Sequence, residues 1–231
     1  MEVKVEQTVY EKGLAIFKSV LIVGWYLISA QLVYFIVGKI EGVKIDDMHY
    51  IQMHRYALAL ASQAVFLLGV LFLTKKNSDV HNPHKRMLSF QKILQYVLIG
   101  VGAFFTCAMI NLLLAPIFPG YKQIENLFTD REPLERFLTF VIGAPIVEEY
   151  LFRNKIQGYL KKGFSLDIAI IVQAVLFGVL HQVPLQKVYA MVMGILFGII
   201  KENEKSFAST VIIHMTVNLI GWAVGTFVVL M

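Results

Sequence analysis

Apolar residues run along this chain in long blocks, and short polar stretches separate them. A membrane-spanning helix needs about 20 predominantly apolar residues. Seven blocks reach or approach that length: residues 14–37, 56–74, 93–117, 136–160, 166–183, 187–201 and 207–230. They predict an all-α fold, a polytopic transmembrane helical bundle of about seven spans forming one membrane domain over residues 1–231. The sixth block is short and predicts a tilted or incomplete span. No repeat, low-complexity stretch or long linker interrupts the pattern.

Composition agrees with a bilayer as solvent. Of 231 residues 57% are hydrophobic and only 16% charged, where soluble domains carry about 25% charged residues. The mean hydropathy is +0.66. A single cysteine, Cys107, excludes an internal disulfide and fits as packing filler in an apolar run. The net charge of +5 is modest, and no basic face with interleaved aromatics points to nucleic acid. The placement of the charges is more telling. With the N-terminus inside, fourteen of the 21 Lys and Arg fall on the cytoplasmic side and seven outside, which predicts an N-inside, C-outside topology. The opening Met-Glu-Val-Lys-Val-Glu is not the short basic leader of a cleaved signal, so the first apolar block is expected to stay.

The loops carry little chemistry. Asp46, Asp47, His49 and His54, and separately His81 and His84, lack a recognised metal-ligand spacing and read as solvated loop residues. The basic run from Lys75-Lys76 to Arg86 reads as a topology signal near anionic lipid heads.

The polar residues inside the blocks are different, because an ionised side chain at bilayer depth costs about 2.5–3.5 kcal/mol on insertion scales. The fourth block holds Glu148 and Glu149, with Arg153 four residues on; the fifth holds His181; the seventh holds His214 and Asn218. Spacings of four put Glu149 with Arg153, Phe177 with His181, and His214 with Asn218 on common helix faces. Counted from the presumed cytoplasmic helix ends, Glu148 lies about 20 Å deep, His181 about 22 Å, His214 about 12 Å and Asn218 about 18 Å. Three helices thus bring polar groups to a similar level. Glu149 and Arg153 read as a structural ion pair. Glu148 has no partner in its own helix, and a lone buried carboxylate near a histidine is a candidate base.

Such groups suit hydrolysis. Glu148 and His181 are placed to orient a water and take its proton. His214 and the Asn218 amide are placed to donate to the oxyanion formed when a carbonyl is attacked. Alternatively, Glu148, His181 and His214 form a three-ligand zinc set with water at the open position. The His-Glu-x-x-His signature of zinc proteases is absent, so the metal-free route, with no cofactor, is favoured. A serine nucleophile lacks its Gly-x-Ser-x-Gly turn. Pro145, three residues before Glu148, predicts a loosened helix that admits water. Gly143, Gly178, Gly194 and Gly198 predict close helix approach. The opening for water and substrate is expected on the cytoplasmic side, near the basic ends of the fourth and fifth helices.

Three motifs carry a family resemblance. Glu148-Glu149-Tyr-Leu-Phe-Arg153, Phe177-Gly-Val-Leu-His181 and His214-Met-Thr-Val-Asn218 occur in order. They resemble the Glu-Glu-x-x-x-Arg, Phe-x-x-x-His and His-x-x-x-Asn/Asp motifs of the CAAX-type prenyl proteases and bacteriocin-processing or immunity proteins (CPBP, or Abi). The resemblance covers about residues 136–220, and the first three helices match only in being apolar. It implies an intramembrane endopeptidase acting on a peptide or membrane-protein tail, in CAAX-type processing or bacteriocin maturation and self-immunity. It gives Glu148 and His181 the water-activating role and His214 and Asn218 the oxyanion role, with Glu149, Arg153 and Phe177 in support. The small size implies a bacterial plasma-membrane protein. Two other classes compete: a non-catalytic immunity protein that keeps the motifs for packing, and a proton-coupled transporter. Transporters often place polar residues in both repeat halves, whereas here they crowd into the C-terminal half.

Overall fold

The computed structural model describes residues 2–44, 47–74, 88–118 and 132–230, and among these every regular element is a helix. In chain order they are α1 (Glu2–Glu41), the short α2 (Met48–Met53), α3 (Arg55–Thr74) and α4 (Phe90–Leu114). A continuous helical run over residues 133–163, here α5, is followed by α6 (Leu166–Val179), α7 (Pro184–Glu204) and α8 (Phe207–Leu230). The ends follow local chemistry. Past α1, Gly42 takes φ +67 and the Val43 N–H donates to the Gly38 carbonyl at 2.9 Å, the six-to-one closure of a Schellman turn. Ser89 caps α4 through the Lys92 N–H.

The Asp47 and His49 stretch, expected as loop, is in part helical: Asp47 caps α2 by accepting from the His49 and Tyr50 N–H groups. His54 stacks on Tyr50 at 4.4 Å. Asp46, His81, His84 and the Lys75–Arg86 run lie outside the described residues.

Among the described residues five helices are long and apolar enough to cross a membrane: Thr8–Glu41, Arg55–Phe72, Phe90–Leu114, Pro184–Glu204 and Phe207–Thr226. The chain is a helical membrane bundle. α5 has the length but carries Arg136, Glu148, Glu149 and Arg153. Between blocks five and six the expectation is reversed. The sixth forms a 21-residue helix, whereas α6 has only 14 residues, about 21 Å against a hydrocarbon core of about 30 Å. The helix ends at Val179, and Val183, the residue before Pro184, takes the extended backbone that precedes a proline, φ −80, ψ 127. His181 thus lies in the turn after α6 rather than within it.

α6 and α7 pack along each other, α8 lies along α4, and α1 bridges α3 and the C-terminal end of α5. Trp25 Nε1 donates to the Phe66 carbonyl across the α1–α3 contact at 3.1 Å. One core joins Phe66, Leu151, Phe152 and Phe177, and a second joins Tyr96, Cys107, Phe197 and Ile213. Cys107 is buried there as the filler its setting suggests. Outward faces stay apolar, with Phe72 and Phe105 exposed to the bilayer's place.

Gly143, Gly178, Gly194 and Gly198 all stand at tight approaches, and at Gly194 the neighbour is the Ala174 backbone and Cβ. A Cβ added at Gly194 would meet Ala174 Cα and Cβ at 2.8 Å, so α6 and α7 can touch only because the side chain is missing. Gly194→Val is expected to destabilise the fold by about 1–3 kcal/mol, the usual cost of overpacking. Thermal unfolding in detergent reads this directly, and an unchanged midpoint would remove the argument.

Candidate active site

The site is built on an irregular helix. α5 alternates α-helical turns at Pro133–Arg136, Ala144–Glu148 and Gln157–Gly163 with wide π turns at Phe137–Gly143 and Glu149–Ile156. Single π turns inside α-helices often mark functional sites. Before the first junction the Ala144 N–H donates to the Thr139 carbonyl, five residues back. One residue later the same register would require a donor from Pro145 to the Phe140 carbonyl, and proline has none. Asn218 Nδ2, from α8, donates to that carbonyl at 2.8 Å. Asn218 thus ties α8 to the irregular turn, with one N–H already committed. Asn218→Ala is expected to cost about 1 kcal/mol of stability. Pro145→Ala supplies a backbone N–H, so the loss should shrink in the double variant; equal losses in both backgrounds would refute the pairing.

Glu149 and Arg153 form the expected pair, Oε1 to Nη1 at 3.3 Å, with both side chains 0% exposed. The guanidinium also lies over the Phe177 ring at 4.2 Å and the Phe197 ring at 5.2 Å, where a cation is attracted by the ring faces. Glu149 does more than the sequence suggested. Its Oε1 accepts from His214 Nδ1 at 2.9 Å, fixing the imidazole edge-on against Phe177. His214 Nε2 is then turned to Glu148 Oε2 at 3.8 Å, beyond hydrogen-bond length. His214 therefore stands between the two adjacent glutamates. The sequence reading grouped it with Asn218, or with Glu148 and His181 around a zinc, and missed the Glu149 anchor, a contact that separate helices make only on folding.

His181 Nδ1 faces the Phe177 carbonyl at 2.7 Å, so Nδ1 carries the hydrogen and Nε2 keeps its lone pair. The Phe177 ring packs edge-on to His181 at 4.8 Å. Phe177 thus orients His181 through both backbone and ring.

Glu148, His181, His214 and Asn218 all line one cavity of about 670 Å³. The sequence argument did not find the rest of its wall: Tyr26 and Tyr34 from α1, Gln63 from α3, and Gln186 and Tyr189 from α7. Their only signal is polar atoms within apolar runs, which many packed helices share. The lining residues come from the middle of the bundle and from the half that holds the α6–α7 turn.

A zinc reading needs three donors aimed at one point. Among the described residues no group of three His, Cys, Asp or Glu side chains could hold a metal ion. Each histidine is held by protein through Nδ1, which leaves Nε2 free. No step below runs through a metal.

A family model described as type II CAAX prenyl endopeptidase Rce1-like matches residues 131–220, the segment that carries all three motifs. Residues 131–220 are CAAX-protease-like. Comparison with curated proteins and with solved structures found no match. The CAAX-protease match gives the chain a general activity class, that of intramembrane endopeptidases, and with it a peptide substrate and a lipid bilayer. With five apolar spanning helices it also makes this an integral membrane protein.

Proposed function

We propose that this CAAX-protease relative hydrolyses a peptide bond with a water activated by Glu148 and His181. The observation that carries the reading is the convergence of Glu148, His181, His214 and Asn218, from α5, the α6–α7 turn and α8, on one cavity in the bundle. A water held between the Glu148 carboxylate and the His181 Nε2 lone pair loses a proton as its oxygen attacks the carbonyl carbon. The oxyanion then receives hydrogen bonds from His214 Nε2, when the ring carries both hydrogens, and from the second N–H of Asn218. The proton held by Glu148 passes to the leaving amine as the C–N bond breaks. Glu149, Arg153 and Phe177 hold these groups in place. The proposed setting is CAAX-type processing or bacteriocin maturation and self-immunity, the roles associated with the family, and the proposed chemistry is metal-free.

The test compares protein termini in membranes that contain wild type or His181→Ala at matched levels. New termini are expected only with wild type, and a chelator is expected to leave them unchanged. Loss of cleavage with chelator would replace the metal-free route. Identical termini in both membranes would hand the site to the non-catalytic immunity reading.

A further inference from the structure

The first wide turn of α5, Phe137–Gly143, is held from two sides. From α8, the Asn218 amide donates to the Phe140 carbonyl at 2.8 Å. From α3, Gln63 Nε2 donates to the neighbouring Thr139 carbonyl, a longer bond at 3.4 Å. Two side-chain amides thus brace two successive carbonyls of one π turn. α3 holds the same turn again through Tyr56, two turns before Gln63 and on the same helix face. The Thr139 hydroxyl donates to the Tyr56 carbonyl at 3.3 Å, and the Tyr56 ring stands edge-on to Phe140 at 5.8 Å.

The pose of the Gln63 amide is closely set. Its Oε1 is buried without a hydrogen bond and lies against Gly143, where an added Cβ would collide with Oε1 and meet Cδ at 3.0 Å. Turning the amide over would set Oε1 against the Thr139 carbonyl, acceptor to acceptor. The amide therefore spans the wide turn from the Thr139 carbonyl to Gly143. A buried acceptor without a donor is a cost that leucine at this position would not carry. The donor is the part of Gln63 with a task, because local rules are broken where function gains from it.

That task follows from what comes next along α5. A π turn bonds residues five apart where an α turn bonds residues four apart, so it redirects the side chains beyond it. The Ala144 N–H bonds Thr139, as the wide register requires; the ordinary register would give it Phe140. Gln63 holds the carbonyl that the wide register uses, and Asn218 satisfies the one that the ordinary register would use. Ala144–Glu148 is the next α-helical stretch, and Glu148 is its last residue. A change of register before it would swing Glu148 about the helix axis, away from the wall it shares with His181.

We propose that Gln63 is a positioning residue for the hydrolysis: its amide, seated where Gly143 lacks a Cβ, keeps the first π turn wide and so aims Glu148 into the cavity. The role rests on the hydrolytic function proposed above; the aim of Glu148 does not. Gln63 lines the cavity too, but its amide is turned to α5, so it acts through Glu148 and not on the peptide.

Two substitutions break the contact from opposite sides. Gly143→Ala presses chiefly on the end of a flexible side chain, so the fold is expected to stand. Gln63→Leu removes the donor and keeps an apolar side chain of similar bulk. Each is expected to lower kcat by about 10- to 100-fold with KM unchanged, as a small misplacement of a reacting group does. Because both break one contact, the double variant is expected to lose no more than the worse single variant. Cys107 is the single native thiol, so Glu148→Cys in a Cys107→Ala background reads the aim of position 148 without turnover. Its alkylation by a small thiol reagent is expected to slow several-fold when Gly143→Ala or Gln63→Leu is added. Wild-type kcat in Gly143→Ala, losses that multiply in the double variant, or unchanged alkylation would each overturn the role of Gln63. Slowed alkylation in a protein whose wild type cleaves nothing would keep the aiming contact and remove the peptidase reading.

Discussion

Glu148→Gln is expected to lower peptide cleavage by about 10²–10⁴-fold, the range that a positioned general base contributes. Glutamine keeps the shape and polarity of the side chain but cannot take a proton from water. Folding should barely register the change. The Glu148 side chain is 20% exposed and lines the cavity, and His214 Nε2, its ion-pair partner among the described residues, stays 3.8 Å away. Surface-type substitutions of this kind usually stay within about 0.5 kcal/mol. The split between lost rate and retained stability is the signature of a group that meets the reacting water. Initial cleavage rates on reconstituted protein, beside a thermal unfolding scan, test both halves. Wild-type cleavage by Glu148→Gln would remove it from the chemistry. A collapsed unfolding midpoint would instead class it with Glu149.

How the two adjacent glutamates divide their roles was only partly legible in the sequence. Glu149 with Arg153 could be read from their spacing of four, because a helix places such residues on one face. That Glu149 also anchors His214 could not be, since the contact joins α5 to α8 across 65 positions of sequence. The turn angle at residue 149 matters too: a π turn redirects every side chain after it relative to an ordinary helix, and no composition rule announces one. Pro145 hinted at the irregularity, and the Asn218 bond to the Phe140 carbonyl shows what the missing donor asks of α8. The apolar blocks located the helices well because twenty apolar residues have few other fates in a membrane protein. Their ends were less legible. α6 ends at Val179, two residues before His181, so a histidine expected on a helix face stands in a turn, aimed by the Phe177 carbonyl.

The largest loss of stability is expected from Arg153→Leu. Its side chain is wholly buried, and removing it leaves the equally buried Glu149 carboxylate without its cation. Breaking one half of a buried pair costs about 3–5 kcal/mol, because the surviving charge has already lost its water. The Phe177 and Phe197 rings lose the guanidinium stacked on them as well. Arg153→Lys is no rescue, since an ammonium lacks the flat face that lies against Phe177 and is more strongly hydrated. The double variant Glu149→Gln with Arg153→Leu separates the two roles of the pair. Replacing both members of a buried pair by uncharged groups is often close to neutral, so much of the folding loss should return. Cleavage should not return with it, because His214 Nδ1 then faces an amide in place of the carboxylate that holds it at 2.9 Å. Unfolding midpoints and cleavage rates on the three variants decide the matter. Full activity in the double variant would make the Glu149–His214 contact incidental, and an unchanged midpoint in Arg153→Leu would show that the buried pair contributes nothing to the fold.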